Sequence, residues 1–242
     1  MGRAKEIIVK VIPSKLANDF VKKHHYSGKV VQNSALHFGC FLDGTLHGVM
    51  SYGSPLDKRK VLPLVQPSQW NEMLELNRMA FDEYLPKNSE SRCIAISIKL
   101  LKKNAPHIKW ILSFSDATQC GDGAIYRASG FVLTQINDKT ENWELPNGAT
   151  VQACTLRQSG YTAWLSPFIS KEKFNTVRNG STSSKRIMEH IGAKKLNGFQ
   201  LRYIYLIDKS CKITVPTIPF SEIEKAGAGM YKGQKKQSAV IV

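Results

Sequence analysis

Residues 109–131 read KWILSFSDATQCGDGAIYRASGF, an apolar run followed by a glycine-rich turn and a short segment around Tyr126. The apolar run, which ends near Asp116, is typical of a buried strand. Two glycines after it favour a turn, and Gly130 is well placed to end a helix. The segment therefore either holds a phosphate on its glycines or presents Tyr126 for chemistry.

The spacing of the glycines excludes the two common phosphate-binding loops. A Walker loop requires G-x-x-x-x-G-K-[ST], and a dinucleotide-binding fingerprint requires G-x-G-x-x-G. In GDGAIYRASG the third glycine instead lies seven residues after the second. The segment thus predicts a strand, a turn that contains Gly121 and Gly123, and a helix that holds Tyr126 and stops at Gly130.

Strand and helix patterns alternate along the rest of the chain with short connections. Asp43-Gly44 is a strong hairpin signal between two strand-like runs within residues 35–53. Ser14 is the expected cap of a first helix, and a polar, proline-containing loop is expected over residues 54–69. We predict further strands over residues 6–12, 73–83, 132–136, 151–156 and 198–208, and helices over residues 15–26 and 88–104.

This alternation predicts the α/β class, with a mixed β-sheet flanked by helices. We expect a single domain over residues 1–230, in which residues 161–190 form an insertion because their periodicity is weaker. Residues 231–242 are basic and contain glycine and glutamine, which predicts a flexible tail.

The charge of the chain points to a polyanionic partner. Thirty-four Lys and Arg residues against nineteen Asp and Glu residues give a net charge of +15. From Gly160 onward the net charge is +9, against +6 for the longer first part, so the C-terminal third is a basic elaboration. Double-stranded DNA is the expected partner, and the alternative is that the lysines only increase solubility.

Two further features bear on the compartment. The sequence has no run of about 18 apolar residues, so we expect no membrane partner. The five cysteines are scattered without a C-x-x-C pair, which favours a reducing cytoplasm over a disulfide framework or a zinc site.

Several polar side chains occur where a buried strand ends or in an apolar context. Asp116 closes a predicted buried strand, where a carboxylate is costly unless it is paired or used. Arg78 lies among apolar residues in LNRMAF and would hold an anionic or acyl group; the alternative is a structural bridge to Glu75 or Asp116. Tyr126 is either a proton donor or a core aromatic residue.

Two helix ends are also candidate sites. His25 and Tyr26 lie at the end of the first helix, and His25 is a candidate general base near neutral pH or one metal ligand. At the start of the predicted helix over residues 88–104, free backbone N–H groups and polar side chains are suited to bind phosphate, although an ordinary capped helix is the alternative. The side chains concerned are Asn88, Ser89, Ser91 and Arg92.

The strand, turn and helix around AIYRASGF resemble the GNAT acyltransferase superfamily. The resemblance implies a GNAT-like sheet, acetyl-CoA or a related acyl-CoA as cofactor, and Tyr126 near the acyl-CoA sulfur, where it protonates the leaving thiolate. The usual pyrophosphate loop, Q/R-x-x-G-x-G/A, is missing, and LPKNSESR stands in its place.

Four segments read together resemble the Mom family of phage DNA-modifying proteins: HHYSG (24–28), ELNRMAF (75–81), NSESR (88–92) and SFSD (113–116). The resemblance implies conversion of adenine in DNA to its N6-carbamoylmethyl derivative, protection of phage DNA from restriction, and action in the host cytoplasm. It also implies an active site made of Asp116, Arg78, Tyr126, His25 and Tyr26. Ser113 joins Asn88, Ser89, Ser91 and Arg92 as a cofactor-binding candidate.

Reaction at the adenine amine in a dry cleft predicts that the base is flipped out of the duplex and stacked on aromatic side chains. Trp164, Phe168, Tyr203 and Tyr205 are the stacking candidates, with sheet core as the alternative for the two tyrosines. Lys171, Lys173, Arg178, Lys185 and Arg186 are expected to hold the DNA backbone. The rival functions are a CoA-dependent N-acyltransferase acting on a small amine or a protein, and a DNA-binding protein without catalysis.

Overall fold

The computed structural model describes residues 3–116, 123–137, 142–152, 156, 160–180, 184–196, 199–226, 230–231 and 234–235. The strands in chain order are β1 (Ile8–Val11), β2 (Ser34–Leu42), β3 (Thr45–Gly53), β4 (Val65–Gln66), β5 (Met73–Phe81), β6 (Trp110–Asp116), β7 (Val132–Asn137), β8 (Asn142–Glu144), β9 (Thr150–Gln152), β10 (Lys194–Leu196), β11 (Gln200–Leu206), β12 (Lys212–Ile213), β13 (Met230–Tyr231) and β14 (Gln234–Lys235). The α-helices are α1 (Ser14–His24), α2 (Lys58–Val61), α3 (Ser89–Asn104), α4 (Ala124–Ala128), α5 (Lys171–Arg178), α6 (Lys185–His190) and α7 (Ser221–Lys225). Short 3-10 helices cover Arg3–Glu6, Leu62–Leu64 and Ala163–Leu165.

A seven-stranded sheet in the order β1-β2-β3-β5-β6-β11-β7 organises the fold. Its neighbouring strands are antiparallel except for β5 and β6, which are parallel. Helices pack on the sheet, so the predicted α/β class with a mixed, helix-flanked sheet is confirmed. The hairpin signal is confirmed as well, because Asp43 and Gly44 both have positive φ, at 51° and 77°.

The sheet divides between β5 and β6. Their parallel pairing runs only from Met73–Trp110 to Leu76–Ser113, although β5 continues beside β3 to Phe81 and β6 continues beside β11. An extra residue of β5 lies between the pairs Tyr52–Leu76 and Ser51–Arg78, which makes a β-bulge at Asn77. A bulge bends its strand and disrupts pairing locally. We call the opening beyond the last β5–β6 pair the fork.

One face of the sheet is covered by α3, α4 and α7 and carries the largest core cluster. Tyr52 of β3 is fully buried there, and its hydroxyl lies 2.7 Å from that of Ser97 in α3. Alternate residues of β11, including Tyr203 and Tyr205, point into this core, and the strand predicted over residues 198–208 is confirmed.

The opposite face is covered in two places with a gap between them. Helix α1 packs through Ala17 and Val21 on Val49 and Ala80. The segment 61–65 packs on Trp110 and neighbouring strands, and β4 pairs there with β12. The fork opens onto the uncovered strip of sheet between these two layers.

The described residues between 142 and 196 build a second, smaller unit between β7 and β11. Strands β10, β8 and β9 form a three-stranded sheet, and α5 and α6 pack with it around a separate cluster that contains Trp143, Leu165 and Phe174. This unit extends beyond the predicted insertion, 161–190. The predicted strand over residues 151–156 overlaps β9, whereas β8 and β10, each three residues long, are too short to produce a readable alternation and were not predicted.

Other local predictions are corrected or fall outside the described residues. The loop predicted over 54–69 contains α2, a 3-10 turn and β4, because Asp57 caps a helical turn by accepting from the Lys60 N–H. Ser14 is the first residue of α1 and not its cap, which is Pro13. In the predicted tail, β13 pairs with β14, and residues 236–242 lie outside the described part, as do Gly121 and residues 153–155. Within the described part, no helix is both long enough and apolar enough to cross a membrane.

Candidate active site at the fork of the sheet

A cleft of about 410 Å³ lies over the fork. Its floor comes from β5, β6 and β11, and its walls come from the connection after α1 and from the segment that contains α2. The lining residues are Tyr26, Val31, Asn33, Pro55, Leu56, Asp57, Lys60, Val61, Glu75, Leu76, Asn77, Arg78, Phe114, Asp116 and Gln200. Three of the five predicted catalytic residues, Tyr26, Arg78 and Asp116, are therefore brought together here.

Asp116 occupies the predicted position at the end of β6. It pairs in register with Gln200 of β11, and both residues line the cleft. Phe114, two residues earlier on the same strand, lines the cleft as well. Because side chains alternate along a strand, Phe114 and Asp116 share the face on which the cleft opens.

Glu75 is a cleft residue that the sequence argument used only as a possible partner for Arg78. Burial raises the pKa of its carboxyl group from 4.5 to about 7, although the positive charge of Arg78 opposes the shift. In the described part of the chain the carboxyl group has no hydrogen-bond partner. The sequence signal for Glu75 as a site residue was its position inside the apolar strand segment MLEL, because a buried charge is costly unless it is paired.

The bulge at Asn77 places Glu75 and Arg78 on one face. Leu76 and Met79 belong to the α3-side core, whereas Ala80 packs under α1. Residues three apart in a regular strand point to opposite faces of the sheet. The extra residue of the bulge changes this alternation and places Glu75 and Arg78 on the same face. The Asn77 side chain accepts from the Ser34 hydroxyl at 2.9 Å, and its amide nitrogen is buried with no partner in the described part of the chain.

Arg78 connects the cleft floor to the segment that follows α1. Its Nε donates to the carbonyl of Lys29 at 2.9 Å, and one Nη donates to the carbonyl of Asn77 at 3.2 Å. Its charge also lowers the pKa values of both His25 and Glu75. Arg78 thus holds a wall of the cleft and supplies positive charge near its floor.

His25 is held as a neutral ring. Its Nδ1 accepts from the Ser27 backbone N–H at 3.1 Å and lies 2.8 Å from the Ser27 hydroxyl. An accepting Nδ1 places the ring proton on Nε2. Burial first, and then the charge of Arg78, lower the pKa of His25 from 6.5 to about 4, so the ring does not titrate near neutral pH. The Tyr26 ring lies 4.3 Å from it and is 54% exposed at the cleft rim.

Tyr126 lies on the other face of the sheet, outside the cleft lining. It is buried in the α3-side core, 5.2 Å from the ring of Tyr203 and 5.5 Å from that of Phe131. Ser113 is also fully buried, and its hydroxyl donates to the Leu76 carbonyl at 2.9 Å, where it closes the last β5–β6 pair. The interpretation of Tyr126 as a core aromatic residue fits this position, and its role as a proton donor stays a prediction.

The start of α3 only partly suits a phosphate group. Ser89 is fully buried and donates to the Pro86 carbonyl, Ser91 donates to the Asn88 carbonyl at 3.2 Å, and Arg92 donates to the Lys5 carbonyl at 3.2 Å. The backbone N–H groups of Glu90 and Ser91 have no main-chain partner among the described residues. A carboxylate, that of Glu90, lies in the same first turn and opposes an anion.

The predicted DNA-contacting residues all lie on the second unit. Lys171, Lys173, Lys185 and Arg186 are exposed, and Arg178 is half-buried with its guanidinium 5.8 Å from the Phe174 ring centroid.

The predicted stacking residues do not reach the cleft. Trp164 and Phe168 pack against the second core, Tyr203 is fully buried, and Tyr205 packs on Phe131. For Tyr203 and Tyr205 the sheet-core alternative is the correct one, because their strand alternation points them at α3 and α4. In the described residues, no group of three or more His, Cys, Asp and Glu side chains is arranged to hold a metal ion.

The fold and the cleft define an α/β protein with a forked mixed sheet and a carboxylate-containing cleft at the fork. The chain belongs to the Mom protein family, whose family model matches residues 6–222. It is similar to the methylcarbamoylase Mom of Escherichia phage Mu, with 36% identity over 138 residues. The match spans 57% of this chain and 57% of the relative, so it covers little more than half of either protein.

Solved structures show a more distant likeness. A GNAT family acetyltransferase from Elizabethkingia anophelis with acetyl-CoA bound is 12% identical, with 83% of this chain and 97% of that chain covered and a TM-score of 0.45. A spermidine/spermine N-acetyltransferase from Vibrio cholerae in complex with manganese ions is 7% identical, with 86% and 97% covered and a TM-score of 0.47. Likeness at these scores carries no weight for function, and membership of the Mom family rests on the sequence match.

Proposed function

We propose that the protein is a transferase that modifies the exocyclic amine of adenine in double-stranded DNA, as a Mom-type carbamoylmethylating enzyme. Membership of the Mom family and the similarity to the Mu methylcarbamoylase support the reaction class. The observation that carries the assignment to a site is the convergence of Glu75, Asp116 and Arg78 on one face at the fork. Two carboxyl groups beside one cation provide a proton acceptor, a proton donor and a fixed positive charge.

The proposed reaction is a substitution at a carbon of an activated carbamoylmethyl donor. The adenine N6 forms a bond to the methylene carbon of the donor, and the bond between that carbon and its leaving group breaks. Asp116 accepts the proton that N6 loses. The leaving group departs with the electron pair of the broken bond and takes a proton from Glu75.

Glu75 suits the role of proton donor better than Tyr126. Its pKa of about 7 means that roughly half of the Glu75 side chains carry a proton at neutral pH. Glu75 lines the cleft, whereas Tyr126 lies in the core on the opposite face. The role proposed for Arg78 is to hold the donor group near the floor. His25, fixed as a neutral ring, lies beside the rim residue Tyr26 but outside the cleft lining.

The adenine is proposed to enter the cleft as a flipped base. A cleft of about 410 Å³ falls within the range of small-molecule sites. Tyr26, exposed at the rim, and Phe114, on the floor, are the aromatic residues available for stacking. The exposed cations of α5 and α6 are proposed to contact the DNA backbone, and the resulting modification would protect phage DNA from restriction.

An acyl-CoA cofactor receives only partial support from the residues present. CoA would supply an activated carbonyl carbon as a thioester. Among the candidate groups at the start of α3, the N–H groups of Glu90 and Ser91 have no main-chain partner in the described part of the chain, whereas Ser89 and Ser113 are buried and donate to carbonyl groups. No step of the proposed reaction therefore depends on CoA.

Mass spectrometry of nucleosides tests the proposal. DNA from cells that express the protein should contain a heavier deoxyadenosine, and the Asp116→Asn variant should abolish it. Unmodified deoxyadenosine in cells that contain soluble wild-type protein would contradict the proposal. Release of CoA thiol with an amine substrate would support the N-acyltransferase alternative, and DNA binding without any product would support a non-catalytic role.

A further inference from the structure

The rim of the cleft carries an apolar side chain that the proposed chemistry does not use. Leu56 is 88% exposed, the highest exposure among the large hydrophobic residues of the described part of the chain, and it still lines the cleft mouth. Exposed leucines are common, but one at the mouth of a site that must admit a DNA base needs separate consideration.

The segment that presents Leu56 is held firmly in place. The Asn33 side-chain amide donates to the Ser54 carbonyl just before it, and Pro55 is buried. Asp57, the next residue, caps α2 by accepting from the Lys60 N–H at 3.3 Å, and its carboxylate lies 2.9 Å from the Lys60 Nζ. Leu56 therefore projects from a short, well-anchored turn.

Cationic residues follow Leu56 closely in sequence, and one of them, Lys60, is paired with Asp57. Helix α2 begins with Lys58, Arg59 and Lys60 directly after Asp57. Arg59 is exposed, and the Lys58 Nζ lies 4.9 Å over the ring of Trp70, which is itself 50% exposed. An apolar tip flanked by cations matches the duplex, where an apolar base stack is bordered by phosphates on both sides.

We propose that Leu56 is a wedge that enters the base stack at the place vacated by the target adenine, while Lys58 and Arg59 contact the adjoining phosphates. The inference rests on the proposed function, since it assumes that adenine occupies the cleft. Flipping the base out of the duplex costs stacking and pairing free energy. Burial of the Leu56 side chain within the stack stabilises the opened duplex by a comparable free energy. The partner is duplex DNA, because a single strand has no gap to fill.

Fluorescence of 2-aminopurine tests the wedge without a donor. The protein is mixed with duplex oligonucleotides that contain 2-aminopurine in place of adenine in varied sequence contexts, and unstacking increases the emission. Wild type should raise the emission on binding, Leu56→Ala should reduce that rise by about fivefold or more with affinity within about threefold, and Leu56→Met should restore it. Ile8→Ala is the matched control, because Ile8 is 64% exposed on β1 and lies outside the cleft lining.

The cations have their own expected result. Arg59→Ala should weaken duplex binding and lower the magnitude of the slope of log affinity against log salt by about one, and Lys99→Ala on the exposed side of α3 should not.

An unchanged emission rise for Leu56→Ala, or an equal reduction for Ile8→Ala, would overturn the wedge. If wild type and Leu56→Ala yield the same modified deoxyadenosine in cells, the wedge fails while the proposed function stands. If wild type yields no modified base, the proposed function fails, and the fluorescence result decides the wedge separately.

Discussion

At the scale of single residues, burial shifts the pKa values of two residues, Glu75 on the cleft floor and His25 beside the rim residue Tyr26, towards their uncharged forms. Burial raises the pKa of Glu75 from 4.5 to about 7 and lowers that of His25 from 6.5 to about 4. Arg78, between them, opposes the first shift and adds to the second. At neutral pH Glu75 is therefore partly protonated and His25 is neutral, while Arg78 supplies positive charge that acts on both.

The two shifts should have opposite effects on stability. His25 with its lowered pKa stabilises the fold above pH 6.5, and this contribution disappears as the pH falls towards 4. Glu75 with its raised pKa gives a contribution that is complete below pH 4.5 and disappears as the pH rises through 7. Between pH 4.5 and 6.5 the stability contribution of Glu75 falls with rising pH while that of His25 rises, so their two pH dependences offset each other in the wild-type protein.

Single variants should separate the stability contributions of Glu75 and His25. Relative to wild type, Glu75→Gln should gain up to about 3 kcal/mol of unfolding free energy as the pH rises from 4 to 8, since it removes a buried charge. His25→Gln should gain a smaller amount as the pH falls from 6.5 to 4, because the partly exposed ring is screened by solvent. Urea unfolding across this pH range measures both, and parallel curves for wild type and Glu75→Gln would contradict the raised pKa.

At the scale of the elements, the sequence predicted strands and helices well where their patterns are local. The hairpin at Asp43-Gly44, the strand through Asp116 and the helix that stops before Gly130 all depend on neighbouring residues, and all are confirmed. The placement of Asp116 and Arg78 in one cleft also agrees with the sequence argument.

The fork and the role of Glu75 were not predictable in the same way. Whether β5 and β6 pair along their full length depends on contacts between distant segments. Regular alternation places Glu75 and Arg78 on opposite faces, and only the bulge at Asn77 reverses that conclusion. The burial of Tyr126 likewise depends on α4 packing on Tyr203.

The entry to α4 gives a prediction at this scale. A Cβ at Gly123 would lie 2.5 Å from the Tyr203 hydroxyl oxygen, whereas a Cβ at Gly148 meets nothing within 4 Å, and both glycines have positive φ, at 67° and 79°. The strain of a left-handed backbone is therefore common to Gly123→Ala and Gly148→Ala. Gly123→Ala should lower the free energy of unfolding by about 1–3 kcal/mol more than Gly148→Ala, because it overpacks the core. Equal destabilisation of the two variants in thermal unfolding would contradict this packing of α4.

At the scale of the whole molecule, charge and catalysis are expected on different units. The forked sheet carries the carboxyl groups, and the unit of residues 142–196 carries the exposed lysines and arginines of α5 and α6. Replacement of Lys171, Lys173, Lys185 and Arg186 by alanine should reduce the magnitude of the salt slope of duplex binding by about 0.9 for each DNA phosphate that is no longer neutralised. The matched control is Lys99, Lys102 and Lys103 on α3, whose replacement should leave the slope unchanged. A slope equal to that of wild type in the first variant would place the DNA elsewhere.

Glu75 and Asp116 at the fork are proposed to transfer the protons of a reaction on adenine. Nucleoside mass spectrometry tests this role in DNA from cells that express wild type, Glu75→Gln, Asp116→Asn or the Ile8→Ala control. Wild type and the control should yield a heavier deoxyadenosine, and each carboxyl variant should reduce its yield by about 100-fold or more while the protein remains folded. Undiminished modified deoxyadenosine in both folded carboxyl variants would contradict the account.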